Sequence, residues 1–258
     1  MAEMTTDPAL TPAAPAPQQQ PVASYAHTVI VLLIMAGVAT LSYFGKSGRP
    51  ASPMVTYLST IAWQWGLFAL VYFGMRKRIG SLRDFFGPRW QQFDDGVMDF
   101  VIAGGFLFVT FAARGIVMLF VIKVLGMGQE MTSLADRMKG LEFIIPRTPL
   151  DAALFVLVSL TAGIVEEFVF RGYLQKQMIA LTGNVAAGVI LSGVLFGLGH
   201  AYQGAWQVVQ IAVTGILFGV LAQWRGSLKP GIIAHVAQNT LAGVLLYLLS
   251  RGVIPTTP

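Results

Sequence analysis

The stretch Ala162-Gly163-Ile164-Val165-Glu166-Glu167-Phe168-Val169-Phe170-Arg171 places two adjacent carboxylates in the middle of an otherwise apolar run. From Leu150 to Ala180 the chain reads as one helix, strongly apolar until Glu166, with polar groups resuming near Arg171. An ionisable side chain at membrane depth is costly, so it is normally paired, faces the protein interior and marks function. Read as an α-helix, the stretch makes Glu167 and Arg171 i,i+4 neighbours, able to form an ion pair on one face. Glu166 points elsewhere, on a face with Ala162 and Gly163, which are small enough to leave room for a water or a backbone. A structural ion network between helices would need only one glutamate. The second is the one free to do chemistry.

Working outward, the composition sets the class. Of 258 residues, 55% are hydrophobic and 11% charged, whereas soluble domains carry about 25% charged residues. The chain is expected to be an all-α, polytopic transmembrane helix bundle. The net charge of +5 is no nucleic-acid signal. The basic residues fall mostly between apolar spans, as the positive-inside bias produces. With no cysteine, disulfides, thiolate nucleophiles and Cys-ligated zinc are excluded.

Residues 1–24, rich in Ala, Pro, Gln and Thr and without Lys or Arg, read as a disordered tail that lacks the basic n-region of a signal peptide. Residues 25–258 form the membrane domain. Spans are expected at about 27–44, 54–75 and 97–125, then the Glu-Glu helix, then about 184–200, 205–224 and 230–249. That is seven, or eight if the loop after the third inserts. Met131, Leu134, Met138 and Leu141 in that loop have the spacing of a short surface helix. Arg76, Lys77, Arg78, Arg83 and Arg89 form the densest basic cluster, expected in the cytoplasm. Leu82, Phe85, Phe86 and Trp90 among them point to an amphipathic segment resting on the interface. Arg114, mid-span, reads as a structural partner for a carboxylate or as a substrate contact. Gly193/Gly197 and Gly215/Gly219 are small-xxx-small pairs that allow close helix packing.

Further polar residues break the apolar pattern. His200 closes Phe196-Gly197-Leu198-Gly199-His200, and His235 and Asn239, i,i+4, share one helix face. Glu166 and His200 each lie 17 residues from the turn at Gly183. In an antiparallel hairpin equal separations mean equal depth, roughly 25 Å from the turn at 1.5 Å per residue, so the two can meet. His235, only a few residues past the turn at 225–229, is harder to bring to that depth. The polar stretch Tyr202-Gln203-Gly204-Ala205-Trp206-Gln207 offers a solution if the preceding helix ends below the surface and it lines a water-filled cavity.

A carboxylate here can serve as general base, with a His orienting the same water, and a second His with an Asn can stabilise a developing oxyanion. Alternatively, a Glu and two His make a ligand set for catalytic zinc with one position open to water. No Ser–His–Asp arrangement competes, and the spacing is not that of H-E-x-x-H.

These motifs, Glu166-Glu167-x-x-x-Arg171, Phe196-x-x-x-His200 and His235-x-x-x-Asn239 in that order, resemble the CAAX protease and bacteriocin-processing enzyme (CPBP) family of intramembrane endopeptidases. That family includes the type II, Ras-converting CAAX prenyl endopeptidases and bacterial proteins tied to bacteriocin self-immunity. The resemblance covers about residues 150–245. It implies that Glu166 activates the hydrolytic water with help from His200, that His235 and Asn239 complete the site or stabilise the oxyanion, and that Glu167 and Arg171 support them. It implies either no cofactor or a divalent metal, zinc, on Glu166, His200 and His235. The expected substrate is a peptide or protein, prenylated or bacteriocin-like, cleaved near the membrane interface. The expected location is the lipid bilayer of a bacterial inner membrane, with the cavity open to the cytoplasm. The alternative is a non-proteolytic immunity or scaffold protein that keeps the fold. A transporter relaying through Glu166 and Arg114 should show symmetric halves with interrupted helices, and none are visible.

Overall fold

The structure, a computed structural model, describes residues 20–45, 52–124, 126 and 142–253. Most of the expected N-terminal tail and the surface helix expected around Met131–Leu141 lie outside the described residues. Long apolar runs can satisfy their backbone in lipid only as helices, and among the described residues there is no strand. The helices are α1 (Tyr25–Phe44), α2 (Pro53–Met75), the single turn α3 (Leu82–Phe85), α4 (Phe93–Val124), α5 (Pro149–Thr182), α6 (Val185–Leu198), α7 (Ala205–Arg225) and α8 (Lys229–Ser250). Six of them are long and apolar enough to cross a membrane, and the chain is an integral membrane protein. The exception among the expected spans is α6, at 14 residues. At 1.5 Å per residue it rises about 21 Å, short of the ~30 Å hydrocarbon core.

The starts and stops follow local chemistry. Thr148 caps α5 through a capping box with Asp151, and Pro149 follows it at the first helical position. Gly183 ends α5 with φ +65° and Asn184 caps α6, so the α5–α6 turn is built from a left-handed glycine and a side-chain cap.

The helix carrying the glutamates departs from the expected α-periodicity. From Glu167 to Leu174 it is a π-helix, flanked by α-helix on both sides, and all eight residues are buried. Packing on every face sets this register, and no Pro or Gly pair announces it in sequence; π-segments concentrate at functional sites.

Helix alternation gives the bundle two ends. One, the basic end, carries residues 76–92, the α5–α6 turn and the α7–α8 turn. The far end carries residues 142–148 and 251–253. At the basic end, Phe85 and Phe86 of the segment expected at the interface pack against the core, their rings 5.4 and 5.7 Å from that of Phe168. Trp90 instead donates to Asp99 at 2.8 Å, and Asp99 pairs with Arg225 at 3.0 Å. The segment therefore roofs the α7–α8 turn. Leu228 N–H donates to Phe86 O at 3.0 Å, and Ser227 and Leu228 are buried. The α7–α8 turn, expected at the surface, is thus recessed, and this moves His235 deeper than chain position alone implies.

The N-terminal approach is pinned to α5. Gln177 pairs with both backbone groups of Ala23 at 3.1 Å, and Thr28 bonds Tyr173 at 2.9 Å. The glycine seam expected between α6 and α7 is present. A Cβ on Gly193 would lie 2.7 Å from Ile216 N, and one on Gly197 2.6 Å from Val208 O.

Candidate active site

Gly163 decides how close α8 comes to α5. A Cβ there would sit 2.4 Å from Val236 Cγ2 and 3.2 Å from Ile232 O, so the missing side chain admits the α8 backbone one turn before the glutamates. That contact and the recessed α7–α8 turn bring His235 between the two carboxylates. His235 Nδ1 lies 3.0 Å from Glu167 Oε1, and Nε2 lies 3.6 Å from Glu166 Oε2. A carboxylate oxygen only accepts, so Nδ1–H donates to Glu167, and the second nitrogen is left facing Glu166. At 3.6 Å the second contact is longer than a direct hydrogen bond.

Glu167 is held in turn. Arg171 Nη1 pairs with the same Oε1 at 3.0 Å, with both side chains 1% exposed; this is the pair expected from the sequence. Arg171 also donates to Gly215 O at 3.1 Å, and its guanidinium lies over the Phe196 ring at 4.4 Å. A buried charge is tolerable only when paired and hydrogen-bonded, and the second Glu167 oxygen finds space beside Gly231, where a Cβ would be 3.1 Å away.

Glu166 has a different environment. Its Oε1 accepts from Gln64 Nε2 of α2 at 2.8 Å, and its side chain is 16% exposed, into a cavity. Sequence reasoning missed Gln64. The signal was available: it is an amide in the middle of an apolar span, which is itself costly.

His200 lies past the end of α6, in the turn beyond Leu198. Its Nδ1–H donates to Phe196 O at 2.9 Å. A carbonyl cannot donate, so this bond fixes the tautomer with the Nε2 lone pair available. Its ring stands edge-on to Phe196 at 4.9 Å.

Glu166, His200, His235 and Asn239 all line one cavity of about 470 Å³. A second cavity of about 340 Å³, walled by α1 and α2, shares Glu166 and His200 with it. The polar residues Tyr202, Gln203 and Gln207 line the larger cavity, as expected for irregular backbone at membrane depth. Both cavities run from Glu166 past Ile144 and Tyr202 toward the far end.

Among the described residues no group of three or more His, Asp and Glu side chains is gathered closely enough to hold a metal ion. The three residues expected as zinc ligands, Glu166, His200 and His235, all line the larger cavity.

No curated protein and no solved structure matches the chain significantly. A protein-family model does match, over residues 148–241, and its description is type II CAAX prenyl endopeptidase, Rce1-like. The matched segment runs from the α5 cap into α8 and holds Glu166, Glu167, Arg171, His200, His235 and Asn239, so the family resemblance drawn from the motifs and the family model fall on the same residues. Over residues 148–241 the chain is therefore similar to the Rce1-like family of type II CAAX prenyl endopeptidases.

Proposed function

We propose that the protein is a glutamate-dependent intramembrane endopeptidase acting on the C-terminal tails of prenylated, CAAX-like proteins or peptides. The observation that carries this reading is the division of labour between the two glutamates. Glu167 is sealed in the core with Arg171 and positions His235, while Glu166 reaches the cavity shared with His200 and Asn239.

In this reading a water sits between Glu166 and His200. Gln64 holds Glu166 Oε1 and leaves Oε2 turned toward the water and His235. The His200 Nε2 lone pair accepts a hydrogen bond from the same water and orients it. As the water oxygen attacks the scissile carbonyl carbon, its proton passes to Glu166, and the carbonyl oxygen takes up negative charge. The Asn239 amide donates to that oxygen. Collapse of the tetrahedral intermediate breaks the C–N bond, and Glu166 returns the proton to the leaving amine. No metal enters these steps.

The test is Glu166→Gln, which keeps size and hydrogen-bonding capacity but removes the base. Cleavage of a prenylated reporter peptide should fall by about 10²–10⁴-fold with the melting temperature in detergent unchanged. Wild-type turnover by Glu166→Gln would end the proposal. The same assay with and without chelator would show whether a metal takes part.

A further inference from the structure

We infer that Arg114 is the receptor for the free carboxylate at the end of the substrate, and so fixes how far from the C-terminus the chain is cut. The inference rests on the peptidase reading above and adds to it a specificity-determining residue on α4, outside the segment matched by the family model.

The first observation is chemical. Among the described residues lining the two cavities, Arg114 is the only Arg or Lys. A guanidinium mid-span is costly, and its planar fork matches a carboxylate with paired N–H donors. Arg114 is engaged within the protein, and five N–H donors leave capacity for a second partner.

The second observation is a ruler. Phe106 of α4 stands against Phe218 of α7 at 4.7 Å, and Phe218 stands against His235 at 5.4 Å, which puts Phe106 and Phe218 at the level of the carboxylate–histidine cluster. Gln210 Nε2 donates to Arg114 O at 3.3 Å, so Gln210 and Arg114 share a second level. Arg114 is eight residues from Phe106, and Gln210 is eight residues from Phe218. Both helices therefore give the same offset, about 12 Å at 1.5 Å per residue, toward the far end of the bundle. Extended chain covers about 3.3 Å per residue, so three to four residues bridge a carbonyl beside Glu166 and a carboxylate on Arg114.

The third observation concerns lining. Gln207, Gln238 and Asn239 line the same cavity, and Gln238 Oε1 is buried without a hydrogen-bond partner. Amides of this kind suit the N–H groups of an extended peptide running between the two points.

The experiment uses the full-length chain carrying Glu166→Gln, purified in detergent, so that binding is read without cleavage. It is titrated with a fluorescent prenylated peptide ending Cys-Val-Ile-Met as the free acid, and with the same peptide as its C-terminal amide. The free acid should bind about 10–100-fold more tightly, the range for charge-assisted hydrogen bonds. Arg114→Gln in the same background should erase the difference, and Arg114→Lys should restore part of it. Equal affinity for acid and amide, including no binding of either, overturns the inference, as does a preference that survives Arg114→Gln. If Arg114→Gln fails to fold, the acid–amide contrast on the unaltered arginine still decides. Wild-type protein separates the two readings. Acid preference in binding with cleavage of neither peptide would sink the peptidase reading alone. Cleavage of both with equal kcat/KM would sink only the role of Arg114.

Discussion

Replacing Arg171 by alanine should do more damage to folding than any change at the cavity surface, and the structure gives the size. The Arg171–Glu167 pair is 3.0 Å apart with both side chains 1% exposed. Removing one partner of such a pair strands the other charge in the bundle and costs about 3–5 kcal/mol. Arg171 also loses its bond to Gly215 O and its place over Phe196. These contacts share the same side chain and do not add independently, so the expected loss for Arg171→Ala stays near that range. The assay is a double-mutant cycle by thermal unfolding in detergent, with Arg171→Met, Glu167→Gln and the double variant. Arg171→Met should melt far below wild type. The double variant, with no stranded charge, should recover much of the difference, giving a coupling above about 1 kcal/mol. It should stay poorly active, since His235 has lost the carboxylate that orients its ring. If Arg171→Ala melts with wild type, or the two changes prove additive, the account of a sealed supporting pair is wrong. A fully stable but inactive Arg171→Ala would move the residue into the catalytic set.

Two further outcomes follow from the same geometry. Gln64→Leu removes the amide that holds Glu166 Oε1 at 2.8 Å and should lower kcat about 10–100-fold, the worth of one charge-assisted hydrogen bond, with little change in melting temperature; an unchanged kcat would remove Gln64 from the site. Gly197→Ala would place a Cβ 2.6 Å from Val208 O and 2.9 Å from Ala212 N. Backbone cannot yield as a side chain can, so this variant should lose about 1–3 kcal/mol and displace His200 just beyond; wild-type melting and turnover would show that the α6–α7 seam is loose.

The fold was legible in the sequence because lipid forces the pattern: apolar runs of span length are helices, and the seven expected segments became α1, α2 and α4 to α8. The site was legible for the same reason. In a chain with so few charges, Glu166, His200, His235 and Asn239 stand out, and they do line one cavity. Depth was harder to read. Counting residues from Gly183 correctly brought Glu166 and His200 to one cavity. Counting from the α7–α8 turn left His235 hard to bring to that depth, because that turn lies under residues 82–90. Long-range packing of Phe86 on Leu228 and of Phe85 on Phe168 creates that roof, and no local pattern encodes it. Gln64 escaped notice because a lone amide with no motif partner looks like a tolerated exception until the helix opposite is known.

The adjacent glutamates show why two consecutive residues can hold opposite roles. One step along a helix turns a side chain by about 100°, enough to put Glu166 in the cavity and Glu167 in the core. The change from α to π at Glu167 strengthens the separation. In an i→i+5 ladder a turn holds more residues than in an α-helix, so residues four apart lie closer to one line, and Arg171 falls nearly above Glu167. The cost is a widened helix, met by burial of all eight residues and by outside donors such as Ser192 Oγ to Phe170 O at 2.7 Å. Glu167, paired with a fixed cation, is held where it orients His235. Glu166, held by a neutral amide, faces the cavity. The proposed base and its support are therefore set apart by what each carboxylate touches, and a segment of ordinary α-helix at this point would weaken the distinction.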